Sequence, residues 1–190
     1  MQEWLILVYK VPPEPSRLRA GIWRKLKAAG ALYLQNGAVA LPAGAPTERV
    51  LRGIVQEAHD MGGTAQLFRG TLLGDEAALR GQFDAARDEE YAELLARCAE
   101  FHAELARERA AGKYTFAELE ENEEDLVKLG TWLGKIRGRD PFGTSLREGS
   151  EHAVGACRED LKAFAAAVYA AADHGSAAPE PAEGLEGKDG

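Results

Sequence analysis

Residues 31–42 read Ala31-Leu32-Tyr33-Leu34-Gln35-Asn36-Gly37-Ala38-Val39-Ala40-Leu41-Pro42. Two short apolar pieces flank Asn36-Gly37, a pair that accepts the positive φ angles of a tight hairpin turn. Pro42 cannot donate to a strand ladder and closes the second piece. The stretch is therefore predicted to be a β-hairpin, and the segments on either side must supply its neighbours.

On the N-terminal side, Trp4-Leu5-Ile6-Leu7-Val8-Tyr9-Lys10-Val11 ends at Pro12-Pro13. Its β-branched and aromatic content reads as a buried strand. Ser16 is placed to cap a helix whose apolar positions Leu18, Ile22, Trp23 and Leu26 fall at helical spacing, and Gly30 is placed to end it in a left-handed turn. This spacing puts Trp23 in the core. On the C-terminal side, Pro46-Thr47 opens a helix carrying Val50, Leu51, Ile54, Val55 and Ala58, Gly62-Gly63 stops it, and Thr64 to Leu72 reads as a last strand. The order β-α-β-β-α-β within some seventy residues is the split βαβ pattern of a ferredoxin-like sheet with both helices on one face.

Beyond Gly74 the period turns helical. Phe83, Tyr91, Leu94, Cys98, Phe101 and Leu105 mark one helix, Leu119, Leu126, Leu129, Leu133 and Ile136 a second, and Val154, Cys157, Leu161, Phe164 and Val168 a third. Breaks are expected at 111–113 and 138–144. The expected organisation is α+β: a ferredoxin-like domain over 1–73, a helical hairpin and third helix over 74–172, and a disordered Pro/Gly-rich tail over 173–190.

The net charge of −8 is uneven. Residues 1–72 hold 9 Lys/Arg against 5 Asp/Glu, whereas 73–172 hold 13 against 21. An acidic whole argues against indiscriminate nucleic-acid binding but leaves room for a basic face on the first domain. Arg17, Arg19, Arg24, Lys25 and Lys27 crowd its first helix, chemistry suited to an oxyanion or a DNA phosphate. The competing reading is a solvated face paired with acids of the helical half. The first apolar run is too short to span a membrane and lacks a basic leader, and two cysteines make no disulfide framework, so a reduced, cytoplasmic, non-membrane protein is expected.

No Ser-His-Asp order, phosphate loop or dinucleotide fingerprint is present, which points away from an enzyme and toward no cofactor. The facing acids include no Glu-x-x-His pair, and no metal site is expected. Arg87 with Glu90 or Glu124, and Arg139 with Asp140, read as structural ion pairs. Cys98 and His102 share a helix face, and with Cys157 could form a soft metal or redox site, although both cysteines fall on apolar stripes.

Trp4 to Pro12, Pro15-Ser16-Arg17-Leu18-Arg19, Ile22-Trp23-Arg24-Lys25-Leu26-Lys27, Gly30-Ala31 and Leu41-Pro42 resemble the N-terminal domain of the ChrB family, encoded with bacterial chromate-resistance systems. The likeness continues through Gly62-Gly63, Ala86 to Tyr91 and Arg139-Asp140-Pro141-Phe142. It implies a chromate-responsive regulator that binds operator DNA or a regulatory partner, and chromate or another oxyanion. Typical members carry a further C-terminal domain where this chain has its tail. The first domain also resembles the module shared by PaaX-type repressors and small CRISPR-adaptation nucleases. Those nucleases hold metal through an Asp at the end of the first strand, where this chain has Lys10-Val11-Pro12. The alternative reading is a small-anion or metal-dependent enzyme whose site, between sheet domain and bundle, is lined by Arg87, Glu90, Tyr91 and Asp140. A third is an assembly module, a homodimer formed through a sheet edge.

Overall fold

A computed structural model describes residues 1–176. The elements are β1 (Glu3–Lys10), α1 (Ser16–Ala29), β2 (Leu32–Gln35), β3 (Ala38–Pro42), α2 (Ala45–Asp60), β4 (Thr64–Thr71), α3 (Glu76–Ala110), α4 (Phe116–Gly138) and α5 (Arg147–Ser176). The sheet order is β2-β3-β1-β4 with every neighbouring pair antiparallel, the ferredoxin-like arrangement that the sequence order predicts. The fold is α+β. The tail expected to be disordered lies, from residue 177, outside the described residues.

The described residues form two compact units. The first comprises Met1–Ala92 and Gly134–Arg147, and the second comprises Glu93–Leu133 and the chain from Glu148. In the first unit the two faces of β1 meet different partners because side chains alternate along a strand. Leu5 and Leu7 are buried with Ile22, Leu26, Val39, Leu41, Leu51, Ile54 and Ala58, which seats α1 and α2 on one face. Trp4 turns to the other face and packs with Ala40, Leu79 and Phe83. The Trp4 and Phe83 rings meet edge to face at 6.0 Å, and Phe142 completes the cluster 5.7 Å from Phe83. That cover does not reach Val8, which is 45% exposed, so β1 is buried on both faces only at its start. Val50 and Trp23 also differ from expectation. They are 42% and 49% exposed, because α1 and α2 bury only the stripes through Ile22–Leu26 and Leu51–Ile54–Ala58.

Local chemistry fixes the boundaries. Gly30, at φ 77°, ends α1: its N–H donates to the Lys27 carbonyl, and the Ala31 N–H donates to the Leu26 carbonyl. At the other end Ser16 makes no side-chain cap; the Glu14 carboxylate accepts the Ser16 N–H at 3.1 Å instead. The hairpin turns at Gly37, φ 78°, and β2 carries a register break between Tyr33 and Gln35.

The second unit buries most of the stripes read from the sequence: Leu94, Cys98, Phe101 and Leu105 of α3, Leu119 and Leu129 of α4, and Val154, Cys157, Leu161, Phe164 and Val168 of α5, whereas Leu126 and Leu133 of α4 are only half-buried. Asn122 of α4 ties it internally by donating to the buried Glu108 carboxylate of α3 at 2.9 Å and to the Glu118 carbonyl at 2.8 Å.

Candidate functional site

Ile22 and Leu26 take the inner side of α1; Arg17 and Arg24, seven positions apart, share the opposite side, whereas Arg19, seven positions before Leu26, falls on the Leu26 side near the start of the helix. All five cations of α1 are exposed. Lys25 is paired, at 2.6 Å, with Glu57 of α2 rather than with an acid of the long helices. Lys27 stands over the exposed Trp23 ring at 5.3 Å, a cation–π contact on the surface. Arg17, Arg19 and Arg24 have no hydrogen-bond or ion-pair partner among the described residues. Over nearly three turns α1 thus exposes three guanidinium groups, a stacked ammonium and an open indole. The helix N-terminus is already occupied, since Glu14 presents its carboxylate to the Ser16 amide where an oxyanion would sit.

A second polar cluster gathers at the C-terminal end of the same helix. Arg87 of α3 is buried, donates from Nη1 to the Gly30 carbonyl at 3.3 Å, and pairs through Nη2 with Glu90 at 3.1 Å. Burial pulls its guanidinium below the ordinary arginine value, partly countered by Glu90. Arg139 pairs with the other oxygen of Glu90 and reaches the Ala28 carbonyl at 3.5 Å. The expected Arg87–Glu90 pair is therefore present, whereas Arg139 takes Glu90 and not its neighbour Asp140.

Asp140 is instead a turn-builder. Its carboxylate accepts the Gly143 N–H at 2.9 Å, the Thr144 N–H at 3.1 Å and the Tyr91 hydroxyl at 3.2 Å. Asp88 does the same one step on, accepting from the Ser145 hydroxyl and the Leu146 N–H; burial pushes its carboxyl up, but these bonds prevail and hold it below the usual range. Arg87, Glu90, Tyr91 and Asp140 thus come together, all inside the first unit. The unpaired groups left there are the Arg87 and Arg139 Nε atoms, buried without a partner among the described residues. Sequence reasoning missed Gly30 as a member of this cluster. A Cβ there would lie 2.1 Å from Arg87 Nη1, so the glycine serves the guanidinium as well as the helix cap.

In the second unit, Cys157 Sγ lies 3.5 Å from His102 Nε2, and His102 Nδ1 lies 2.6 Å from Asp160, which Arg109 also holds at 2.6 Å. Both cysteines are buried. Burial, then the neighbouring Cys98, pushes the Cys157 thiol up to about 12, and burial raises Cys98 as well. Such thiols are protonated and weakly nucleophilic at neutral pH. Among the described residues no three His, Cys, Asp or Glu side chains converge as metal ligands. A groove of about 600 Å³ between α3 and α4 is floored by Phe101, Leu129 and Trp132 and rimmed by both signs of charge. No helix of the described residues is long and apolar enough to cross a membrane.

Fold and surface together define a ferredoxin-like α+β protein with an exposed cationic first helix and a helical extension. The chain belongs to the family described as Protein ChrB, N-terminal, which it matches over residues 19–175. It is 34% identical over 94 residues to Protein ChrB of Cupriavidus metallidurans, an overlap of 48% of this chain and 28% of that protein. The match thus spans less than a third of that relative's length.

Proposed function

We propose that this chain is a ChrB-type regulatory protein of chromate resistance, acting in the cytoplasm by contacting DNA through the exposed cations of α1. The observation that carries this reading is the set Arg17, Arg19 and Arg24, exposed and without partners among the described residues, on the same helix as Trp23 and Lys27. Guanidinium groups left to solvent suit phosphate oxygens, which each can grip through two N–H donors. With a net charge of −8 the rest of the surface repels DNA, so binding would be confined to this patch and steeply salt-dependent. Glu14 at the start of α1 favours DNA over a small oxyanion as the partner of this helix, because an anion there would have to displace a resident carboxylate.

The test is a mobility-shift titration of the protein on its own upstream DNA at two salt concentrations, with and without chromate. A specific shift that weakens with salt and is released by chromate supports the regulatory reading. Absence of any shift at low salt rejects direct DNA contact.

A further inference from the structure

The sheet ends in two unlike edges. β2 is four residues long and its register breaks between Tyr33 and Gln35, features that discourage another strand from adding to it. β4 is eight residues long, runs in unbroken register with β1 from Glu3↔Thr71 to Lys10↔Thr64, and contains no proline. Only Ala65 is buried and Leu67 half-buried; its other residues are exposed. Of the devices that protect a free edge, β4 carries a single charge, Arg69, and that charge is already answered by Glu48 and Glu3.

The surface beside this edge is apolar and electrically quiet. Phe68 is 50% exposed, and its β1 neighbourhood includes Val8, 45% exposed, on the face away from α1 and α2. Leu73, just past the strand, is 99% exposed. In an antiparallel pair, residues directly opposite one another share a face. A two-fold centred on Phe68 satisfies this for the whole strand: Phe68 meets its own counterpart, Gln66 meets Gly70, and Leu67 meets Arg69. No like charges lie directly opposite; the two Arg69 side chains are diagonal neighbours on one face, each held by its own Glu48 and Glu3, and the aromatic pair sits on the axis, where such contacts contribute most.

We propose that β4 is a homodimerisation edge, joining two copies of this chain into one eight-stranded antiparallel sheet through a two-fold at Phe68. The proposal is independent of DNA binding. It has one consequence for it: a two-fold normal to the sheet leaves both α1 helices on the same side, as a palindromic site requires.

The test is sedimentation velocity of the full chain over a wide concentration range without DNA, for the native protein, Phe68→Glu and Phe68→Cys. Circular dichroism and the thermal midpoint of each variant control for folding. The native protein should pass from monomer to dimer as concentration rises. Phe68→Glu should weaken association by about tenfold or more. Phe68→Cys should cross-link into a covalent dimer with diamide, while the native protein, whose Cys98 and Cys157 are buried, should not. A native protein that stays monomeric overturns the proposal, and so does a dimer that Phe68→Glu leaves equally tight and Phe68→Cys cannot cross-link. A monomer that instead captures a synthetic β-strand peptide at this edge would assign it to a different partner and equally reject the second copy.

Discussion

One helix, α1, is flanked by two sets of cations that the protein treats in opposite ways. Arg87 and Arg139, at its C-terminal end, are withdrawn from water and answered by Glu90 and by the carbonyls of Gly30 and Ala28. Arg17, Arg19 and Arg24, exposed on the helix, have no partner among the described residues. A buried guanidinium needs its partners because an unpaired buried charge is prohibitive, so the first set belongs to folding. An exposed one contributes little to stability, so the second set can be replaced without unfolding the chain. The two sets should therefore separate cleanly under mutation: the first changes stability, the second changes binding.

The largest effect is expected at Arg87. Arg87→Ala leaves Glu90 with one cation fewer and the Gly30 carbonyl without its donor, and should cost about 3 kcal/mol of unfolding free energy, read by denaturant titration. Gly30→Ala attacks the same interaction from the other side. Its φ of 77° and the 2.1 Å approach of Arg87 Nη1 to an added Cβ predict a loss of about 1–3 kcal/mol.

Next comes Glu108 in the second unit, whose carboxyl is raised above the ordinary glutamate value by burial and by the nearby Glu118, against the Asn122 bond. A raised acid binds its proton more tightly folded than unfolded, so ionising it opposes folding. Its contribution should fall away as pH rises from the ordinary glutamate range through the raised value. Glu108→Gln keeps an acceptor for Asn122 and should stabilise by about 1 kcal/mol at neutral pH, with the advantage vanishing in acid, as thermal midpoints across pH would report. The smallest stability effect is expected for Arg17→Ala, Arg19→Ala and Arg24→Ala together, each within about 0.5 kcal/mol, although this set should lose the most DNA affinity. A large destabilisation by the α1 set would collapse the comparison.

What can be read from sequence follows the range of the interactions. The hairpin at Asn36-Gly37, the stop at Gly30 and the apolar stripes of α3, α4 and α5 depend on residues a few positions apart, and apart from the half-buried Leu126 and Leu133 all appear where their spacing predicts. Trp23 departs from its expected place in the core because helical spacing gives a stripe without saying how wide the covered part is; the cover reaches Ile22 and Leu26 and stops short of the indole. Ser16 does not cap because it is already the first helical residue, with Pro15 at the cap position, and the Glu14 carboxylate accepts the Ser16 N–H. Arg139 prefers Glu90, 49 residues distant, over adjacent Asp140, whose oxygens are taken by its own turn and by Tyr91. Pairings of that kind are set by tertiary packing, and no local pattern in the chain carries them.

The most direct test of the account is the salt dependence of DNA affinity for the native protein and for the Arg17→Ala, Arg19→Ala, Arg24→Ala triple variant. If α1 grips phosphates, the native protein should lose affinity steeply with salt. The slope of log affinity against log salt should then become shallower by about 2.7 in the variant, roughly 0.9 for each phosphate no longer neutralised, with the fold intact. Equal slopes for the two proteins, or no binding by the native protein at low salt, would contradict the assignment of α1 as the DNA-contacting surface.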